Sequence, residues 1–198
     1  MPETTLNKTT ESIIASAKSL FWKFGIRKVT VADICKEAGV SKMTFYRKFQ
    51  NKIEVAGKVI DQMTENGQRA YAEVMGGDIP FPEKIAELIR IKHQETQGVS
   101  LQFINDLLQG GYDELQAKLD AYRAEAVGNI MQDMMQAQQE GWIRKDLKPE
   151  FILFMFGDVQ QKMTNAHLQA MYSDPVELIM ELTNFLFYGF SAPKPPSE

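Results

Sequence analysis

Residues 30–49, TVADICKEAGVSKMTFYRKF, constrain this chain more than any other stretch. Thr30 is a good helix N-cap, and Asp33 three residues on completes an acidic version of the capping box. Val31, Ile34, Cys35 and Ala38 fall at helical spacing and predict a helix over about residues 31–38. Gly39 stands where such a helix needs a left-handed residue, a conformation glycine reaches without a Cβ clash. Ser41 caps again only two residues later and opens a second helix running through Phe49. Two short helices about a glycine turn make a helix-turn-helix. The second helix turns Phe45 and Phe49 inward and carries Lys42, Arg47 and Lys48 together with the hydrogen-bonding Thr44 and Tyr46. Short side chains near its start let that end approach base edges, as the recognition helix of such motifs does in the major groove. The plainer alternative is a tight helical hairpin with a solvated basic face.

Charge distribution favours nucleic acid over that alternative. The chain has a net charge of −4, which by itself argues against a polyanionic partner. Residues 1–52, however, hold ten Lys/Arg against four Asp/Glu, a net +6, while the remainder holds twelve against twenty-two, a net −10. A basic head on an acidic body concentrates the positive field where phosphates would be neutralised. Cys35 is the single cysteine. It therefore forms no intrachain disulfide, and its place on an apolar stripe reads as core. The N-terminus lacks a secretory apolar segment, and the longest apolar run, 151–157, is far below the roughly 20 residues of a membrane span. A cytoplasmic protein without membrane contact is expected.

The rest of the chain reads as helices. The first is expected from about Asn7 to Phe24, ended by Gly25, with Ile26 to Val29 as a connector. Asn51 and Glu54 open a helix that continues to about Met75 and so links head to body; Gly57 and Gly67 interrupt it, each as a packing site or a hinge. Gly76-Gly77-Asp78-Ile79-Pro80 is a clear break. Helices follow to Gly98, over Ser100 to Gln109, and over Tyr112 to Glu140. After a loop, Pro149 starts FILFMFGDVQQKM, and Pro175 starts VELIMELTNFLFYGF. Both carry more apolar surface than one core can use, which predicts a dimer. The expected division is a helix-turn-helix domain over 1–52, an effector-binding and dimerisation domain over 53–192, and a disordered tail over 193–198.

No catalytic constellation is present. His93 and His167 are the only histidines and lie far apart in sequence. Phosphate-binding glycine loops and zinc-peptidase motifs are missing. An enzyme, a cofactor and a metal are not expected.

The segments SLFWKFGIRKVTV and ADICKEAGVSKMTFYRKFQNKIEV together resemble the DNA-binding domain of the TetR family of transcriptional regulators. The resemblance covers about the first third of the chain. Its linked features are the Phe-Gly end of the first helix, the Thr before the second, Ala-Gly-Val-Ser at the turn, the Tyr-Arg-x-Phe of the third, and the Lys opening the fourth. Met43 stands where a small residue is frequent and Phe45 where leucine is frequent, so no relative's operator carries over. The resemblance implies an all-α fold, phosphate contacts from Arg27, Lys28 and Lys52, and a DNA interface completed by Thr30, Ser41, Lys42, Met43, Thr44, Tyr46, Arg47 and Lys48. It also implies a four-helix dimer interface, here drawn from Phe151, Phe154, Met155, Leu178, Leu182 and Phe185. A small apolar or amphipathic effector is expected to meet Phe103, Tyr112, Tyr122, Met131, Met134, Trp142, Phe154 and Asp158, although each of these also reads as core, and Asp158 and Asn165 equally as polar groups at the dimer seam. The expected activity is that of a homodimeric repressor, released by ligand from a palindromic operator in double-stranded DNA. The alternative is a helical effector-binding or interaction protein without specific operator recognition.

Overall fold

A computed structural model describes residues 2–189, with side chains from Lys8 onward apart from Phe156 and Gln160. The expected tail over 193–198 lies outside the described residues. Among those described the chain forms ten helices and no strand: α1 (Pro2–Phe24), α2 (Val31–Ala38), α3 (Lys42–Tyr46), α4 (Lys52–Met75), α5 (Phe81–Thr96), α6 (Leu101–Gln109), α7 (Asp113–Gln139), α8 (Pro149–Met163), α9 (Ala166–Gln169) and α10 (Pro175–Gly189). The all-α class is as expected. Helix α1 begins at Pro2 instead of Asn7; proline suits a first turn, where its missing N–H costs nothing.

The chain divides into two compact units, one of residues 1–66 with 98–121, the other of residues 67–97 with 122–198. The first is larger than the expected head of 1–52. It takes in the first half of α4, all of α6 and the start of α7. Its core is built on Ile13, Ala17, Phe21, Ile34, Phe45 and Val55, each fully buried. Helix α6 joins this unit through its ends and its middle. Its N-capping Ser100 donates its amide to the Trp22 carbonyl at 2.9 Å, and Phe103 packs its ring 4.9 Å from that of Trp22.

The second unit has its own core, in which Met134, Ala137, Ile143, Leu147, Ile152 and Leu186 pack with Phe81, Ile130, Met155, Val159 and Phe187. Tyr71 of α4 donates its hydroxyl to Asp133 of α7 at 2.8 Å. Burial first, and then that carboxylate, push the phenol well above its ordinary range. The short α9 was not expected from the sequence. Asn165 makes it by accepting the amides of His167 and Leu168 at 3.0 and 3.1 Å. Asn165 is therefore a helix cap.

Candidate nucleic-acid interface

Local capping chemistry builds the helix-turn-helix as its sequence suggests. The Thr30 hydroxyl accepts the Asp33 amide at 3.2 Å, and the Asp33 carboxylate accepts the Thr30 amide at 2.9 Å and its hydroxyl at 2.6 Å. The hydroxyl and then the amide of Thr30 hold the Asp33 carboxyl below the usual range. Gly39 turns the chain at φ +65°, and the next amide, of Val40, donates back to the Cys35 carbonyl at 3.0 Å. Ser41 caps α3 by accepting the Thr44 amide at 3.0 Å. Helix α3 ends at Tyr46 and not at Phe49; the winding continues as a turn, with the Phe49 amide on the Phe45 carbonyl at 2.9 Å. Phe45 and Phe49 are buried with ring centres 5.8 Å apart. They anchor the helix from behind.

What this leaves outward is the opposite face. Met43 is 76% exposed and Tyr46 57% exposed, flanked by exposed Lys42 and Arg47, with Thr44 and Lys48 half-buried. At that exposure Met43 gains little from burial in the core. Arg27 and Lys28 are exposed on the α1–α2 loop, and Lys23 and Lys28 stand 5.3 and 6.0 Å from the Phe24 ring.

Lys52, expected as a phosphate contact, meets backbone carbonyls in this structure. Its ammonium donates to the carbonyls of Ile26, Arg27 and Val29 at 2.8, 2.9 and 2.7 Å. An ammonium has three N–H donors, and all three are engaged by backbone. Burial lowers its pKa, with Asp106 opposing. In this structure Lys52 grips the loop with its three donors.

Sequence reasoning overlooked Asp106, which is 2% exposed. Its carboxylate accepts the Arg27 amide at 2.8 Å and the Gln102 side-chain amide at 2.7 Å. The only hint was a lone acid within LQFINDLLQ, which also fits a solvated face.

The expected effector residues fall in both units. Phe103 is 3% exposed in the first unit's core and Met134 5% exposed in the second's. Tyr112 belongs to the first unit, whereas Tyr122, Met131, Trp142, Phe154 and Asp158 belong to the second. Asp158 pairs with Lys162 one turn along α8. Met131 and Met135 lie with Gln132, Gln136 and Gln139 along an open groove of about 680 Å³ on α7. The expected dimer residues also divide. Phe151, Phe154 and Phe185 are exposed, while Leu178 is buried at 4% and Met155 packs on the core. Leu178 serves its own unit, because on an apolar helix one stripe must fill the local core. Tyr188, not foreseen, is 64% exposed on α10. Cys35 is buried as expected, and burial pushes its thiol up.

Residues 13–58 match the family described as bacterial regulatory proteins, tetR family. The HTH-type transcriptional regulator TtgR of Pseudomonas putida is 36% identical over 58 residues, 29% of this chain and 28% of that protein. The aligned part is thus under a third of that relative's length. The uncharacterized HTH-type transcriptional regulator YdgC of Bacillus subtilis (strain 168) is 21% identical over 182 residues, covering 89% of this chain and 90% of the relative. Among solved structures, regulatory protein TetR from Rhodobacter sphaeroides superposes with a TM-score of 0.70 at 19% identity, covering 91% of this chain and 97% of that one. The fatty acid degradation regulator FadR from Bacillus halodurans superposes with a TM-score of 0.69 at 19% identity, covering 91% and 95%. At such identities the structures share the fold, while the specific likeness in sequence lies on α2, α3 and their flanks. Over residues 13–58 the chain is thus similar to the tetR family of bacterial regulatory proteins, and as a whole it shares the fold of a solved regulatory protein TetR.

Proposed function

We propose that this protein is a homodimeric, sequence-specific DNA-binding regulator that represses transcription and leaves a palindromic operator when a small apolar or amphipathic ligand binds its second unit. The observation that carries the reading is the outward face of α3, where Met43 and Tyr46 stand exposed between Lys42 and Arg47 while Phe45 is fully buried. The basic residues supply the sequence-independent attraction, and Met43 with Thr44 would read base edges. A methionine offers apolar contact only, for which a thymine methyl is the natural partner.

A single short helix reads only a few base pairs, so a two-fold pair of heads is needed for specificity. Exposed Phe151 and Phe154 on α8 and Phe185 and Tyr188 on α10 supply an apolar surface for that pairing. Ligand would then shift the population toward a head spacing that mismatches half-sites one helical turn, about 34–36 Å, apart or a multiple of it. Helix α4, which starts in the first unit and ends in the second, is the natural carrier. Selection of bound fragments from genomic DNA tests the reading. Enrichment of a palindrome is expected; enrichment no greater than for random sequence would remove specific recognition and leave an interaction protein.

A further inference from the structure

The loop from Gly25 to Val29 is held more firmly than a surface connector needs to be. The Arg27 amide is accepted by the carboxylate of Asp106 at 2.8 Å, and the Arg27 carbonyl by the ammonium of Lys52 at 2.9 Å. Both sides of one residue's backbone are thereby fixed, one from α6 and one from α4. Lys52 takes the carbonyls on either side as well, those of Ile26 and Val29. Gly25 meets α6 so closely that an added Cβ would stand 2.4 Å from Gln102 Cγ and 2.6 Å from an Asp106 oxygen, and its φ is +82°. Such an approach requires glycine. Meanwhile the Arg27 side chain remains 68% exposed, with Nε 4.0 Å from the Asp106 carboxylate.

A carboxylate that is 2% exposed is costly to bury, and this one is spent on a backbone amide and a glutamine. Its partners lie 79 residues away in sequence at Arg27 and one turn away at Gln102. We infer that Asp106 is a positioning residue for DNA binding: with Lys52 it clamps the α1–α2 loop so that Arg27 and Lys28 face the phosphate backbone. Asp106 touches no DNA itself, and Lys52 holds the loop from the α4 side. The inference rests on the DNA-binding reading above, yet the clamp can be tested apart from it.

The test uses the full-length protein and a random-sequence duplex of about 30 base pairs, because phosphate contacts do not depend on an operator. Affinity is followed by fluorescence anisotropy as salt is raised. Removing one phosphate contact lowers the slope of log affinity against log salt by about 0.9. Asp106→Ala should lower it by about 0.9 to 1.8 for each head, as Arg27 and Lys28 disengage. In a background already carrying Arg27→Ala and Lys28→Ala, the same change should lower it no further. Asp106→Asn keeps an oxygen for the Arg27 amide, while the Gln102 amide turns to accept the new NH₂ group, so it should lie near the wild type.

Should Asp106→Ala fail to fold, Lys52→Met carries the test, since it keeps the aliphatic stem and removes the three donors. Its effect should likewise be smaller in the double-alanine background. An Asp106→Ala slope equal to the wild type, or a Lys52→Met effect fully retained in that background, overturns the inference. Amide exchange at Arg27 without DNA separates the two readings. The clamp predicts protection in the wild type, kept in Asp106→Asn and reduced about tenfold or more in Asp106→Ala. A wild type that binds no duplex but keeps this protection refutes the DNA-binding reading and the DNA role of the clamp together, leaving the loop contact standing. An unprotected wild-type Arg27 amide refutes the clamp itself.

Discussion

On the proposed dimer, replacing Phe185 with glutamate should turn the protein into a folded monomer. Phe185 is 71% exposed on α10, and a covered phenylalanine buries roughly 150–250 Å², so the proposed dimer would cover about 140 Å² on each protomer. A two-fold interface uses the residue twice. At about 25 cal/mol per Å² the forgone burial is about 7 kcal/mol per dimer as an upper figure, or about five decades in Kd. The introduced carboxylates add a desolvation cost of the same sign. Because the side chain contributes little to its own unit's core, circular dichroism should be unchanged. Sedimentation equilibrium at micromolar concentration should then show a monomer, and operator binding should disappear with the dimer. Leu178→Glu is the contrast: Leu178 is buried at 4% in its own unit, so that change should unfold the chain. A wild type that sediments as a monomer, or a Phe185→Glu protein as dimeric as the wild type, would refute the reasoning.

Four further outcomes follow from local geometry. Met43→Ala should cost roughly 1–3 kcal/mol at one base pair of the selected operator and little on random DNA; equal weakening on both would remove Met43 from the readers. Tyr71→Phe leaves the half-buried Asp133 without its 2.8 Å donor and should lower stability by about 1–3 kcal/mol in denaturant titrations, and an unchanged midpoint would deny that bond any weight. Gly67→Ala places a Cβ 3.5 Å from the Tyr122 hydroxyl, an ordinary contact, so stability should rise by up to about 1 kcal/mol; a lower melting temperature would contradict it. The last concerns acid. The folded Asp33 carboxyl lies below its ordinary value, so its contribution is present above the unfolded value near about 3.9 and is lost as pH falls through the folded one. Asp33→Asn should abolish this part of the acid sensitivity, which thermal melts from pH 6 downward would reveal.

The parts of the fold that were legible in the sequence share one property: their causes lie within a few residues. Thr30 with Asp33, Gly39, Ser41 with Thr44, and Asn51 accepting the amides of Ile53 and Glu54 at 2.8 and 2.9 Å are all contacts of two to four residues. Capping chemistry and the glycine exemption from the left-handed penalty act at that range, so the helix ends could be read directly. The same holds for the inward Phe45 and Phe49, set by helical period. The α3 end differs because the winding tightens after Tyr46, where the Lys48 amide donates to the Phe45 carbonyl at 2.8 Å.

The features that were not legible have the opposite property. Lys52 is chemically an exposed cation in any local reading, and only the return of residues 26–29 beside it converts it into a carbonyl clamp. Leu178 and Phe185 are equivalent by composition, yet one is core and the other bare, since the face each takes is set by α5 and α8 against α10. The Phe103 contact with Trp22 spans 81 residues and likewise has no local sign.

The sequence by itself determined an all-α chain with a basic helix-turn-helix near its start, because period, caps and glycines are local free energies that do not wait for tertiary contacts. Only the tertiary structure decided that α6 belongs with the head, that Asp106 is spent on the Arg27 amide, and which aromatic faces of α8 and α10 remain bare. A contact spanning 79 residues has no local signature: its energy comes from burying a carboxylate beside one particular amide, and that neighbourhood exists only once the helices have packed.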